Sequence, residues 1–217
     1  MNYQNKMNEA EFTERQSQVL EAGLALLVAG GEKAITTAGL ARAANCSKES
    51  LYKWFGDREG VLSAMIAYQA SKVRVPAVAA SANRSAEDFR ADFETFGNDL
   101  LSVLSGSTSI ALNRLAIGQA NADGAPLGDL LIGRGRSAIR ARAKALLEAA
   151  RRAGHLRFDD PEVAFETLYG LLIGDMHVRM LLGEKLATIG LPKNQGAKVT
   201  RAVDQFYRLY GAEFATL

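Results

Sequence analysis

Cysteine is nearly missing from this chain. Cys46 is the only one in 217 residues, so no disulfide can close within the chain, and the composition fits a reducing compartment. Four prolines leave room for long uninterrupted helices. No stretch approaches the roughly eighteen consecutive apolar residues that a spanning helix needs. The polar, mixed-charge segment 1–12 lacks the apolar centre of a signal peptide. A cytoplasmic protein with no membrane partner is expected. The two histidines, His155 and His177, come with no cysteine–histidine cluster, which argues against the usual structural metal sites. There is no phosphate-cradling glycine loop and no nucleophile–base pair, so neither an enzyme, a metal nor a cofactor is expected. Charge of one sign is also scarce. The net charge is +2, and any nucleic-acid partner must be argued from local charge rather than from the whole.

What is abundant is alanine, leucine and arginine, all of which favour helix. Phe12, Gln16, Val19, Gly23, Leu26 and Leu27 recur with a period near 3.6, while Glu14, Arg15 and Glu21 lie on other faces, and the run stops at Gly30-Gly31. Two short helical pieces follow. Thr36 and Thr37 can cap the first, which runs through Leu40 to Ala44 and is interrupted at Asn45-Cys46. Ser47 can cap the second, Lys48 to Phe55. Gly56-Asp57 breaks the chain again, with Asp57 as an N-cap and Glu59 in the first turn of a longer helix reaching to about residue 80, unless Pro76 ends or kinks it. Further helices are predicted over 85–105, 108–121, 125–153, 160–186 and 194–214, separated by Asn, Asp, Gly and Pro clusters. No period-2 strand is evident, and the fold class is all-α.

Two short helices joined by a tight turn have the geometry of a DNA-reading helix-turn-helix. On Lys48–Phe55, Leu51 and Phe55 share one face and belong to the core, as does Leu40. Glu49 and Lys53 share the opposite face, flanked by Ser50 and Tyr52. Asn45 tolerates the left-handed backbone that such a turn can require. Between Lys33 and Arg58, five basic residues face two acids, Glu49 and Asp57, leaving a local +3. That is a moderate charge, and two copies of the domain are needed for useful affinity at cellular salt.

The block from Thr36 to Leu62 resembles the DNA-binding signature of the TetR/AcrR family of transcriptional regulators. The matching positions are Thr36, Leu40-Ala41, Ala44-Asn45-Cys46-Ser47, Leu51-Tyr52, Trp54-Phe55, Arg58-Glu59 and Leu62. Asn45 stands where glycine is common, Cys46 where a small apolar residue is, and Glu49 where glycine or proline is frequent. The resemblance implies an N-terminal three-helix DNA-binding domain over 9–56. A helical ligand-binding and dimerisation domain would follow over 57–217, with 57–80 as the connecting helix. It further implies a homodimer on a pseudo-palindromic double-stranded operator, acting as a repressor released by an unknown small-molecule effector. An activator, or a dimer without ligand control, is the alternative.

By the same resemblance, Thr36, Thr37, Tyr52 and Arg58 touch phosphate, and Ser47 and Lys48 touch phosphate or bases. Ser50 and Lys53 are candidates for base edges, and Glu49 could accept from a cytosine amino group. Trp54 either lies on the sugar-phosphate backbone or packs inside the small domain. Cys46 reads as an apolar spacer. The candidate effector-binding residues are Phe93, Phe96, Leu112, Leu115, Tyr169, Met176 and His177. The resemblance puts the dimer interface on the last two long helices. One carries the stripe Phe165, Leu168, Leu171, Leu172, Met176, Met180 and Leu181; the other carries Val199, Ala202, Val203, Phe206, Leu209, Tyr210 and Phe214. The cluster Arg134, Arg136, Arg140, Arg142, Lys144, Arg151 and Arg152 reads as a solvated helix face.

Overall fold

The structure is a computed structural model, and it describes residues 12–75, 84–120 and 127–212. Twelve α-helices account for most of them: α1 Glu14–Gly30, α2 Thr37–Ala43, α3 Lys48–Phe55, α4 Arg58–Ser71, α5 Ala86–Ser105, α6 Ser107–Gln119, α7 Leu127–Leu130, α8 Ser137–Arg152, α9 Pro161–Ile173, α10 Met176–Leu181, α11 Leu186–Ile189 and α12 Leu191–Tyr210. Among the described residues the only β-type pairing is an isolated bridge between Leu156 and Gly211, so the chain is all-α as expected. No single described helix is long and apolar enough to cross a membrane.

The chain folds as two compact units. One gathers the chain up to Ser71 with Ser107–Arg136. The other gathers Lys72–Gly106 with the chain from Ser137 onward. This partition differs from the division at residues 56 and 57 expected from sequence, because α4 and α6 bury their apolar faces with α1. In the first unit Val19, Leu20, Leu24 and Leu27 of α1 share a core with Leu40, Leu51, Leu62, Met65, Ile66 and Leu112. Thr13 opens α1 with a reciprocal cap, its hydroxyl accepting from the Gln16 amide while the Gln16 side chain accepts from the Thr13 amide. The Tyr68 hydroxyl donates to Glu21 at 2.6 Å and pins α4 to α1. Burial and that carboxylate push the phenol up to about 12.

The second unit is built on α5, α8, α9 and α12. Phe93, Phe96 and Leu100 of α5 are buried with Leu168 and Leu172 of α9 and with Val199, Val203 and Phe206 of α12. The helices meet closely at Gly97, where a Cβ would lie 2.8 Å from both a Leu172 and a Val199 methyl. Arg74 clamps Asp99 of α5 through Nε at 2.7 Å, Nη2 at 3.0 Å and its backbone amide at 3.0 Å. Burial alone would raise the Asp99 carboxyl. The hydrogen bonds and charge of Arg74 outweigh it and hold the group below the usual carboxylate range. A depressed folded-state value means the stabilisation is present above the unfolded value of about 3.9 and is lost as pH falls through the folded one. Asp99→Asn should therefore lower the urea midpoint at neutral pH. That deficit should shrink on acidification below about pH 4, and a deficit independent of pH would show that the charge is not responsible.

Four of the helices depart from the sequence expectations. The helix after Asp57 ends at Ser71, and the part of the expected connecting helix over 76–80 lies outside the described residues. The expected helix 125–153 is one continuous run from Leu127 that loosens into a π-helical stretch at Leu131–Arg136, where Gly133 and Gly135 sit. The expected helix 160–186 breaks at Gly174, whose φ of +55° takes it out of the right-handed region. The last helix begins earlier than expected, at Leu191 rather than 194, with Pro192 in the first turn where a missing N–H costs nothing.

Candidate nucleic-acid interface

The helix-turn-helix is assembled from local caps. Thr36 caps α2, its Oγ1 accepting the Gly39 amide at 2.9 Å. At the other end Asn45 adopts φ +49°, the only described non-glycine residue with positive φ. The Cys46 amide reaches back to the Ala41 carbonyl at 2.9 Å and the Asn45 amide to Arg42 at 3.3 Å. This is the Schellman pattern that ends a helix on a left-handed residue. One residue later Ser47 caps α3, accepting the Ser50 amide at 3.0 Å, with the two serine hydroxyls 3.0 Å apart. Asp57 caps α4 through the Gly60 amide at 2.8 Å.

These caps fix which way α3 faces. Leu51 is 1 % exposed and Tyr52 is 56 % exposed. Lys48, Glu49 and Lys53 are exposed beside Tyr52, and Ser50 is half-buried. Trp54 and Phe55 are both half-buried against the core, edge to face at 6.2 Å. Trp54 thus packs against the core of the small unit. Phe55, expected in the core, lies at its margin. Cys46 also packs against the core and is half-buried. Thr36, Thr37, Tyr52 and Arg58 come from α2, α3 and α4 and line one surface depression together. The structure thereby brings four of the expected phosphate-contacting residues to one place.

One contributor had no signal in the sequence. Arg15, in the first turn of α1, donates from Nη2 to the carbonyls of Ala44 and Asn45, each at 2.7 Å. Its periodicity marked only an outward charge, and nothing local foretells a partner some thirty positions away.

The comparisons with known proteins bear on this geometry. Residues 19–65 match the model of the bacterial regulatory proteins of the tetR family. Residues 91–212 match the C-terminal domain of AefR-like transcriptional repressors. A crystal structure of a TetR transcriptional regulator from Agrobacterium tumefaciens is 56 % identical, with a TM-score of 0.78 over 94 % of this chain and 97 % of that one. The chain belongs to the TetR family of transcriptional regulators. Among curated proteins nothing matches it. A TetR-family regulator from Mesorhizobium loti MAFF303099 is 19 % identical, with a TM-score of 0.67 over 91 % of this chain and 96 % of that one. The flavonoid-responsive regulator FrrA is 23 % identical, with a TM-score of 0.61 over 91 % and 97 %. These two share the fold.

As a TetR-family member the protein is a DNA-binding regulator, and the family's proteins are generally transcription factors without enzymatic activity. Among the described residues no three His, Cys, Asp or Glu side chains gather where a metal could be held. The residues expected to line an effector site fall in both compact units. Phe93, Phe96, Tyr169, Met176 and His177 belong to the unit of α5, α9 and α12, whereas Leu112 and Leu115 belong to the unit of α1. Phe93 packs against the rings of Phe206 and Tyr207 at 6.0 and 6.1 Å. Tyr169 packs on Phe165 at 5.8 Å. The His177 Nδ1 lies 3.2 Å from the Leu104 carbonyl.

The arginine-rich helix is mostly engaged within the chain. Arg140 and Lys144 of α8 share Glu162 of α9 at 2.9 Å each, and Arg151 pairs with Glu148 at 3.0 Å. Arg142 is partly buried, which lowers its pKa from the usual arginine value. Arg134, Arg136 and Arg152 complete the cluster.

Proposed function

We propose that this TetR-family protein is a homodimeric repressor that reads a pseudo-palindromic operator and is released by a small-molecule effector. The observation that carries the reading is the sidedness of α3: Leu51 is sealed into the core while Tyr52, Lys48, Glu49 and Lys53 stand in solvent. A short helix fits the major groove, and its N-terminal amides carry a partial positive charge suited to phosphate. Ser47 and Thr36 use their oxygens as caps; the Thr36 hydroxyl keeps its proton for a phosphate oxygen, and the Ser47 hydroxyl shares a hydrogen bond with that of Ser50 beside the same surface. Thr37, Lys48, Tyr52 and Arg58 supply the remaining phosphate contacts. Ser50, Lys53 and Glu49 meet base edges, and Trp54 supports α3 from behind.

The second copy is expected on α9 and α12. Phe165, Leu168, Leu172, Met176 and Met180 of one stripe, and Val199, Ala202, Val203 and Phe206 of the other, are buried within their own chain. Phe214 lies outside the described residues. Among their exposed residues α9 and α12 keep apolar ones, Val163 at 53 % and Leu209 at 64 %, and Val178 of α10 and Leu182 just after it are exposed as well. A twofold dimer through that face sets the recognition helices about 34–36 Å apart, one turn of DNA. An effector bound within the second unit among Phe93, Phe96, Tyr169, Met176 and His177 need only prefer a dimer of different spacing. About 5.5 kcal/mol of differential affinity would invert a 99:1 population.

The test is a gel shift on a duplex that the wild-type protein selects from a randomised pool, comparing Tyr52→Phe and Lys53→Ala. Lys53→Ala should weaken binding about tenfold at physiological salt, either uniformly with a shallower salt slope or with relaxed choice at one base pair. Tyr52→Phe should lose a few-fold through one phosphate hydrogen bond. If neither substitution weakens binding, α3 does not read DNA by this face.

A further inference from the structure

We propose that Arg15 is a positioning residue for DNA reading: from α1 it locks the left-handed turn between α2 and α3 and so fixes the angle at which α3 is presented. The proposal rests on the DNA-reading role of α3. Where α2 ends, the Leu40, Ala41 and Arg42 carbonyls are taken by the amides of Ala44, Cys46 and Asn45. Beyond Ala43, the carbonyls of Ala44 and Asn45 accept from the Arg15 guanidinium at 2.7 Å each. A single Nη2 thus spans the residue that closes α2 and the residue that turns left-handed. The other terminal nitrogen, Nη1, is held by Gln18 at 3.1 Å, so the guanidinium plane is tied on both sides.

The chemistry suits the place. The C-terminal end of a helix carries partial negative charge, and a cation hydrogen-bonded to its carbonyls makes a charge-assisted contact stronger than a neutral one. The mechanical consequence follows from the shortness of the link. Only Asn45 and Cys46 separate the α2 cap from Ser47, which caps α3. A change in the Asn45 backbone therefore swings all of α3 rather than being absorbed in a loop. Asparagine tolerates φ +49° less freely than glycine does, so this turn needs a restraint from outside. α1 supplies it.

The test uses the full-length protein, with Arg15→Met to keep the apolar stem and Arg15→Lys to keep the charge. Binding to the wild-type-selected duplex is measured by fluorescence anisotropy over a salt series. Hydrogen exchange of the Cys46 amide is followed in the free protein. Arg15→Met should weaken binding about tenfold or more, leave the slope of log K against log salt unchanged, and speed exchange at Cys46. Arg15→Lys should recover part of both losses. A slope shallower by about 0.9 for each Arg15 removed, with Cys46 exchange unaltered, would make Arg15 a phosphate contact and overturn the proposal. Unaltered affinity and unaltered exchange would overturn it too. If the wild-type protein selects no duplex, the DNA-reading role fails. The Cys46 exchange then still decides whether Arg15 locks the turn.

Discussion

Gly60→Ala should unfold the α3–α4 junction and abolish DNA binding, although alanine is the better helix former. Gly60 sits in the first turn of α4, an ordinary place for a side chain, and propensity alone would reward the substitution by about 1 kcal/mol. Packing decides otherwise. A Cβ there would come within 1.8 Å of the Phe55 carbonyl oxygen and 3.0 Å of its carbon. The obstacle is backbone at the C-terminal end of α3, which cannot rotate aside as a side chain does. Relief requires moving Phe55, Gly56 and Asp57 together, and Gly56 already occupies φ +80°. Asp57 would then lose its cap on the Gly60 amide. The net cost is about 3 kcal/mol or more, at the upper end of overpacking effects. Trp54 is the chain's only tryptophan and packs half-buried beside this junction, so its fluorescence in a urea titration reports the unit concerned. A midpoint within error of wild type would show that the carbonyl of Phe55 yields cheaply. Tyr52 and Arg58 flank the junction, so DNA binding should fail even below the midpoint.

The contrast between legible and illegible features has a physical pattern. From Thr36 to Arg58 every boundary was readable, because each is set by a side chain acting on its own backbone. Thr36, Ser47 and Asp57 accept amides three residues on, and Asn45 takes the left-handed position. The α3 face was readable for the same reason, since helical periodicity alone separates Leu51 from Tyr52. What escaped depends on residues distant in sequence. Arg15 meets Ala44 and Asn45 only once α1 and α2 have packed. Gly60 is an exception in distance only: the carbonyl that requires it, of Phe55, is five residues back but lies across the turn in another helix. The break at Gly174 did have a local signal, Gly174-Asp175, but the apolar run through Leu171, Leu172 and Met176 outweighed it. Leu112 and Leu115, expected with Phe93 and Phe96 among the effector-site candidates, fall in the other compact unit because the chain passes from one to the other at Gly106. Apolar periodicity says that a face is buried. It does not say by what.

Arg84→Met should destabilise the second unit by about 3–5 kcal/mol, because it strands a buried carboxylate. Arg84 meets Asp92 at 2.5 Å, with side chains only 19 % and 11 % exposed. The Asp92 Oδ2 makes no well-directed hydrogen bond, so charge, rather than hydrogen-bond geometry, holds it. The guanidinium also stacks over Phe89 at 4.6 Å. The backbone carbonyl of Arg84 accepts from His155 Nε2 at 2.9 Å, and the imidazole leans on Phe89 at 5.5 Å. Methionine keeps the stem and much of the apolar contact, so the loss isolates the cation. Such a pair is costly to break but not thereby stabilising, since burying both charges costs about what their attraction returns. Arg84→Met with Asp92→Leu should therefore recover most of the stability that Arg84→Met loses. Urea unfolding followed by circular dichroism on the wild type, both single variants and the double one closes the cycle. A double variant no more stable than Arg84→Met would mean that Arg84 acts through Phe89 and the His155 contact. In that case the structural centre of this cluster is the ring stack rather than the ion pair.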